Sequence, residues 1–175
     1  MLSLDELNAQ DEAGFSEALS GVFEHAPWVV DAVVDQRPFA STAALHQALI
    51  KVLCGLPERS LVAFLCLHPE LAGPAARAGT MTADSEREQS GLALGRLAPE
   101  HAARWDELNG LYRERFGFPF ILCIRRHDMA SALAAFETRL DNSRVQELQS
   151  ALVEITAISG LRLAERLGEP ATATG

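Results

Sequence analysis

A chain of 175 residues, 48% apolar and 22% charged, has the composition of a soluble globular protein and the length of one domain with a real hydrophobic core rather than two. Fifteen basic against twenty-four acidic residues leave a net charge of -9, which repels nucleic acid and anionic membranes and argues against both as partners. A small anionic substrate would need a local positive pocket.

Helix signals dominate the chain. The N-terminal stretch MLSLDELNAQDEAG is acidic and lacks a long apolar core, so it does not read as a signal peptide. Ser3 and Glu6 have capping-box spacing and predict a short helix. Phe15, Leu19, Val22 and Phe23 then recur at helical spacing. Pro27 stands like a first-turn proline before Trp28, Val29, Val30, Val33 and Val34. Ser41 or Thr42 can cap a helix carrying Leu45, Leu49, Val52 and Leu53. Pro57 opens another with Leu61, Phe64 and Leu65 inside, and Pro69 closes it. Residues 69–83 are rich in Gly, Pro and Ala without a clean period and are expected to form a long ordered loop.

A further helix is expected from about Ser85 to Arg96. Pro99 opens the next, with Ala102, Trp105, Asn109, Tyr112 and Phe116 on one stripe and Gly117 as its cap. The apolar run 116–126 (FGFPFILCIRR) has no partner strand in the sequence and is expected to cross the core as an extended segment. Asp128 caps a helix with Leu133, Phe136 and Leu140; a last helix, about Ser143 to Leu167, carries Val145, Leu148, Leu152 and Ile155 on its seam. The expectation is all-α: one domain over 1–175, its core about 15–167, of roughly eight helices.

Cys54, Cys66 and Cys123 are odd in number, widely spaced and set in apolar runs. They read as buried free thiols, not as a disulfide framework or zinc site, and fit a cytoplasmic protein. No stretch of 18 apolar residues could span a membrane. The tail, EPATATG, is small and polar, is expected to fray, and does not end in the peroxisomal Ser-Lys-Leu address.

Three polar residues stand where the pattern wants apolar ones. His68 continues the face of Leu61, Phe64 and Leu65 at a helix end, where the dipole favours an imidazolium and suits a proton donor. The bland alternative is a half-buried histidine bonded to a carbonyl. Glu88 lies in Asp84-Ser85-Glu86-Arg87-Glu88-Gln89. Ser85 and Glu88 have capping-box spacing, and the same helix N-terminus could face an anionic ligand. Arg162 continues the seam of the last helix through Ser159; it either snorkels to solvent or anchors a carboxylate in the core. Among weaker candidates, His25 stands out little, Trp28 reads as core, and Arg125 and Arg126 mark an exit to solvent. His46, His101 and His127 lack metal-ligand spacing, so no metal is assigned, and no Gly-rich phosphate loop, GxSxG elbow or HExxH motif occurs.

Taken together, several stretches resemble one family. They are FEHAPWVV (23–30), RPFAS (37–41), LHQAL (45–49), HPELAG (68–73), AGTMTADSEREQSG (78–91), LNGLYRERFGFPFILCIR (108–125) and EITAISGLRL (154–163). In that order they resemble the 2-oxo-4-hydroxy-4-carboxy-5-ureidoimidazoline (OHCU) decarboxylases, from about Phe15 to Leu167. The resemblance implies an all-helical fold, a homodimer, no cofactor, and decarboxylation of a ureido-imidazoline to (S)-allantoin in urate breakdown. It places the family's proton-donating histidine on His68 and its terminal-motif arginine on Arg162, with Glu88 as the third catalytic candidate. The implied substrate contacts fall on Pro69, on Ser85, Glu86, Arg87, Glu88 and Gln89, and on Phe120, Ile121, Leu122, Cys123 and Ile124. The chain departs from the family pattern at Glu70, where Asp is frequent, at Pro74 (Lys), at Gly160 (Arg) and at Arg126 (Gly). Three other readings stand beside it. A decarboxylase-like enzyme on a related purine-derived ureide would turn over several such compounds. A catalytically silent helical interaction module would turn over none. A helical DNA regulator is disfavoured by the -9 charge.

Overall fold

Helix caps account for most of the boundaries in the computed structural model, which describes residues 2–92, 94 and 97–168. Among these, ten α-helices and no strand occur. By internal contacts the chain falls into two compact units, Met1–Leu61 with Thr156–Gly175, and Val62–Ile155.

The first unit begins with α1 (Leu4–Asn8), closed at its start by the expected Ser3–Glu6 capping box. In α2 (Glu12–Ala18) Asp11 is the cap, accepting from the Gly14 N–H at 2.8 Å. α1 packs on α2, and α2 on α3 (Trp28–Asp31) and on a 3-10 turn, Val34–Gln36. Ser41, not Thr42, caps α4 (Thr42–Cys54) and points Leu45, Leu49 and Leu53 inward. The unit also holds the start of α5 (Glu58–Leu65) and the C-terminal part of α10 (Arg144–Leu167). Phe15, Leu19, Val22, Phe23, Val29, Val30 and Val33 are buried as the spacing predicts. Trp28 is not core: it is 40% exposed, because α3 is a single turn that buries Val29 and Val30 and leaves its first residue outside.

In the second unit the stretch 69–83 is not one loop. Pro74 opens a short helix, α6 (Pro74–Ala78), ended by Gly79 in the left-handed region, and α7 (Ala83–Ser90) has begun by residue 83. Thr82 caps α7, its hydroxyl accepting from the Ser85 N–H. The Ser85–Glu88 capping box is therefore wrong: Ser85 lies inside the first turn, because Thr82 supplies the same chemistry three residues earlier. α7 stops at Ser90, short of Arg96, which falls outside the described residues. α8 (Pro99–Phe116) buries Trp105, Leu108, Asn109, Tyr112 and Phe116 and ends on Gly117 at φ 75°.

Residues 118–123 are buried and belong to no helix or strand; the expected extended run over 116–126 is shortened at both ends, by α8 up to Phe116 and by a 3-10 turn, Ile124–Arg126, that leads Arg125 and Arg126 out to solvent. Asp128 caps α9 (Met129–Arg139) through a capping box with Ser131. Aromatic rings fill the core: Phe120 stacks on Phe136 at 3.9 Å, and Tyr112 meets Phe118, Phe120 and Phe136 edge-on. Such pairs add roughly 0.5–1.5 kcal/mol each beyond area burial. On α10 the buried seam runs through Leu148, Ala151 and Ile155, and Val145 is 66% exposed. The inward position one turn before Ala151 belongs to Glu147, which satisfies buried donors that a valine could not. All three cysteines are free thiols as expected, but only Cys123 is buried; Cys54, at the end of α4, and Cys66, in the turn after α5, are exposed. No helix among the described residues is long and apolar enough to cross a membrane.

Candidate active site

α5 stops at Leu65, and the chain turns through Cys66 and Leu67 into His68–Gly73, the HPELAG segment. His68 is half-buried, its ring set edge-on to Phe64 at 5.3 Å. The four residues after Pro69 are each held by a partner or by close packing. Glu70 pairs with Arg113 at 2.8 Å. The Leu71 carbonyl accepts from Asn109 Nδ2 at 2.9 Å. The Ala72 N–H donates to Gln89 Oε1 at 3.1 Å, and the Ala72 carbonyl accepts from Arg77 at 2.8 Å. Ala72 itself lies at φ 52°, a left-handed conformation that costs an alanine about 1–3 kcal/mol and persists where surrounding bonds over-determine it. Gly73 comes next of necessity, because a Cβ there would stand 2.7 Å from Glu70 Cβ.

α7 is the brace for this segment. Ser85 and Gln89, four apart, form its buried face; Glu88 is half-buried, and Glu86 and Arg87 are exposed. Gln89 also donates to Met81 Sδ at 3.2 Å. α7 packs on the 3-10 turn Ile124–Arg126. Just before that turn the Cys123 thiol is pushed up to about 11, first by burial and further by the charges of Glu154 and Glu88, with Arg126 and Arg125 opposing. Phe120, Ile121, Leu122, Cys123 and Ile124 are all buried. Side chains hold their backbone: Arg139 donates to the Ile121 carbonyl at 2.8 Å, and the Cys123 N–H donates to Glu154 at 2.7 Å. The His68–Pro69 segment, α7 and residues 120–124 thus form one connected set within Val62–Ile155. The walls behind 120–124 border a hollow of about 410 Å³ lined by Arg139, Glu154 and the polar Asn142, Gln146, Gln149 and Ser150; it contains none of the sequence candidates.

Arg162 belongs to the other unit. It is 3% exposed, which excludes the snorkelling alternative. Its Nη1 donates to Glu24 Oε2 and to the Gly21 carbonyl, each at 3.1 Å. One turn earlier on α10, Ser159 is buried against His46, Oγ to Nε2 at 2.9 Å. Burial holds the His46 imidazole below its ordinary range. That ring also occupies the space beside Gly160, where a Cβ would stand 3.1 Å from it.

Sequence reasoning passed over Glu24, Asn109 and Glu147. Each is a polar residue that the structure buries. A signal existed for Glu24, an acid between Phe23 and the Ala26–Val30 run, and for Asn109, an amide on the apolar stripe of α8. Among the described residues no group of three or more His, Cys, Asp or Glu side chains is arranged to hold a metal ion.

The model of the OHCU decarboxylase family matches residues 8–164. A protein of Bos taurus named 2-oxo-4-hydroxy-4-carboxy-5-ureidoimidazoline decarboxylase is 38% identical over 96% of this chain and 99% of its own length. One of the same name from Halalkalicoccus jeotgali is 34% identical over 94% and 91%. Among solved structures, that of (S)-allantoin synthase superposes with a TM-score of 0.77 at 24% identity, covering 95% of this chain and 54% of that one. That of OHCU decarboxylase in the presence of (S)-allantoin gives 0.63 at 18%, covering 91% and 100%. At those identities the structural likeness is one of fold.

Proposed function

We infer the activity of this chain from its family: it belongs to the OHCU decarboxylases. It is a lyase that releases CO2 from 2-oxo-4-hydroxy-4-carboxy-5-ureidoimidazoline and leaves (S)-allantoin, a step of urate breakdown. The substrate carries carboxylate and hydroxyl on one ring carbon beside a ring C=N. When the carbon–carboxylate bond breaks, its electron pair forms a C=C bond and the C=N pair moves to nitrogen. That nitrogen takes up a proton from the medium; the hydroxyl then loses its proton to become a carbonyl, and the ureido-bearing carbon gains one, which sets the stereocentre. The substrate supplies its own electron sink, so the protein's tasks are orientation, charge stabilisation and proton movement.

In this proposal His68 is the acid/base that moves those protons. Glu88 orients it or holds the ring or ureido N–H groups. Pro69, Ser85, Glu86, Arg87, Gln89 and the segment Phe120, Ile121, Leu122, Cys123 and Ile124 supply substrate contacts, and Arg162 holds a substrate oxygen. The observation that supports His68 is the four-fold pinning of the segment behind it, by Arg113, Asn109, Gln89 and Arg77, which gives a proton donor a fixed station. We further propose a cytoplasmic homodimer, which analytical ultracentrifugation would test. Circular dichroism of allantoin formed from freshly made substrate tests the chemistry. His68→Ala and His68→Asn stay folded and lose most of the stereoselective rate; a near-native rate in either would remove His68 from the role.

A further inference from the structure

Arg162 meets a carboxylate to which the proposed chemistry gives no part. Glu24 is 2% exposed, on a turn between α2 and α3 whose neighbours Val22, Phe23 and Ala26 are buried. Two left-handed residues shape the turn: Gly21 at φ 82°, where glycine is at ease, and His25 at φ 49°, where histidine is not. This local bend brings the Gly21 carbonyl and the Glu24 carboxylate to the same nitrogen, Arg162 Nη1, at 3.1 Å each. Two acceptors on one nitrogen fix both the position and the plane of the guanidinium, since its five N–H bonds are coplanar. A glutamate enclosed this far is held by its partner, and a pair kept only for stability could be exchanged for apolar residues at little cost. A pair maintained through a strained turn is the pattern of a site that needs a charged group held still.

We propose that Glu24 is a positioning residue: it aims the Arg162 guanidinium at substrate, with the Gly21 carbonyl as second stay. This rests on the substrate-binding role proposed for Arg162. Glu24→Gln keeps the size of the side chain and one acceptor oxygen while removing its charge; in the folded variant kcat/KM falls between about ten- and a hundredfold, as expected for a misplaced binding group. In the Arg162→Ala background the same change costs little further, because nothing remains to be aimed. Added guanidinium chloride restores part of the turnover of Arg162→Ala and restores less in Glu24→Gln/Arg162→Ala, a readout that a merely structural pair would not move.

A folded Glu24→Gln with wild-type kcat/KM beside a disabled Arg162→Ala overturns the proposal and leaves the role of Arg162 standing. So do fully additive losses in the double variant. A wild-type rate in Arg162→Ala overturns that role and the proposal with it. If Glu24→Gln does not fold, Glu24→Asp takes its place, keeping the charge and shortening its reach; a several-fold loss is expected, and a native rate refutes the proposal.

Discussion

Glu147→Leu removes an acceptor on which three side chains converge. The Glu147 carboxylate is fully buried and accepts from the Tyr112 hydroxyl, from Arg139 Nε at 2.9 Å, from Arg139 Nη2 and from Asn142 Nδ2 at 2.7 Å. Its loss leaves the Arg139 guanidinium, only 11% exposed, without its counter-charge and with little access to water. It also leaves a fully buried phenol without an acceptor. The Tyr112 pKa is raised well above the ordinary phenol range, chiefly by burial, so ionisation of tyrosine offers no relief. Breaking a buried pair from one side costs about 3–5 kcal/mol, a large share of the roughly 5–15 kcal/mol that holds a domain together. At about 2–4 °C per kcal/mol for a chain of this size, Tm falls by roughly 6–20 °C. Differential scanning calorimetry and urea unfolding followed by far-UV circular dichroism measure this. Arg139→Leu/Glu147→Leu removes both charges and melts above the single variant. A Glu147→Leu variant that melts within about 1 °C of the parent, or a double variant less stable than the single one, would refute this account of the pair.

Gln89→Leu deprives the buried Ala72 N–H of its acceptor, a loss of about 1–3 kcal/mol, and Gln89→Glu, which keeps an acceptor oxygen, recovers part of it. Hydrogen exchange at the Ala72 amide reports this directly: faster exchange in Gln89→Leu is expected, and unchanged protection would rule out the pin. Burial lowers the His46 pKa, so the folded chain binds that proton less readily than the unfolded one. The contribution of His46 to stability is therefore intact above the unfolded imidazole value of about 6.5 and is lost as pH falls through the folded value. His46→Gln should flatten the decline of Tm on acidification below that point, and an unchanged slope would assign the decline to other groups.

What was legible in the sequence was what neighbours in the chain decide. Ser3 with Glu6, Ser41, Asp128 and Gly117 mark helix ends by chemistry acting over one turn. The apolar stripes of α4, α5 and α8 arise from 3.6-residue periodicity. The candidate site was legible only in part. His68, Gln89 and residues 120–124 could be pointed to, but the bonds that place them come from Asn109, Arg113 and Arg139, distant in sequence. Thr82 and Ser85 compete as caps on equal local terms, and packing of Ser85 and Gln89 decided for Thr82. α6 was missed because Pro-Ala-Ala-Arg-Ala carries no amphipathic signal. Val145 was misread and Glu147 passed over for one reason: hydrophobicity assigns the inward position to valine, and only the donors on Tyr112, Arg139 and Asn142, brought there by folding, make glutamate the better occupant.

The irregular run 118–123 is buried, and two of its peptide groups are met by individual side chains, Arg139 at Ile121 and Glu154 at Cys123. In a ladder of strands a slip of two residues exchanges one set of equivalent partners for another. Here the Ile121 carbonyl and the Cys123 N–H each have one particular side chain as partner, so a shifted threading loses both bonds and is disfavoured. The same enclosure denies the ribbon a free edge, so one of the most apolar stretches of the chain cannot serve as a template for a second molecule once it is folded.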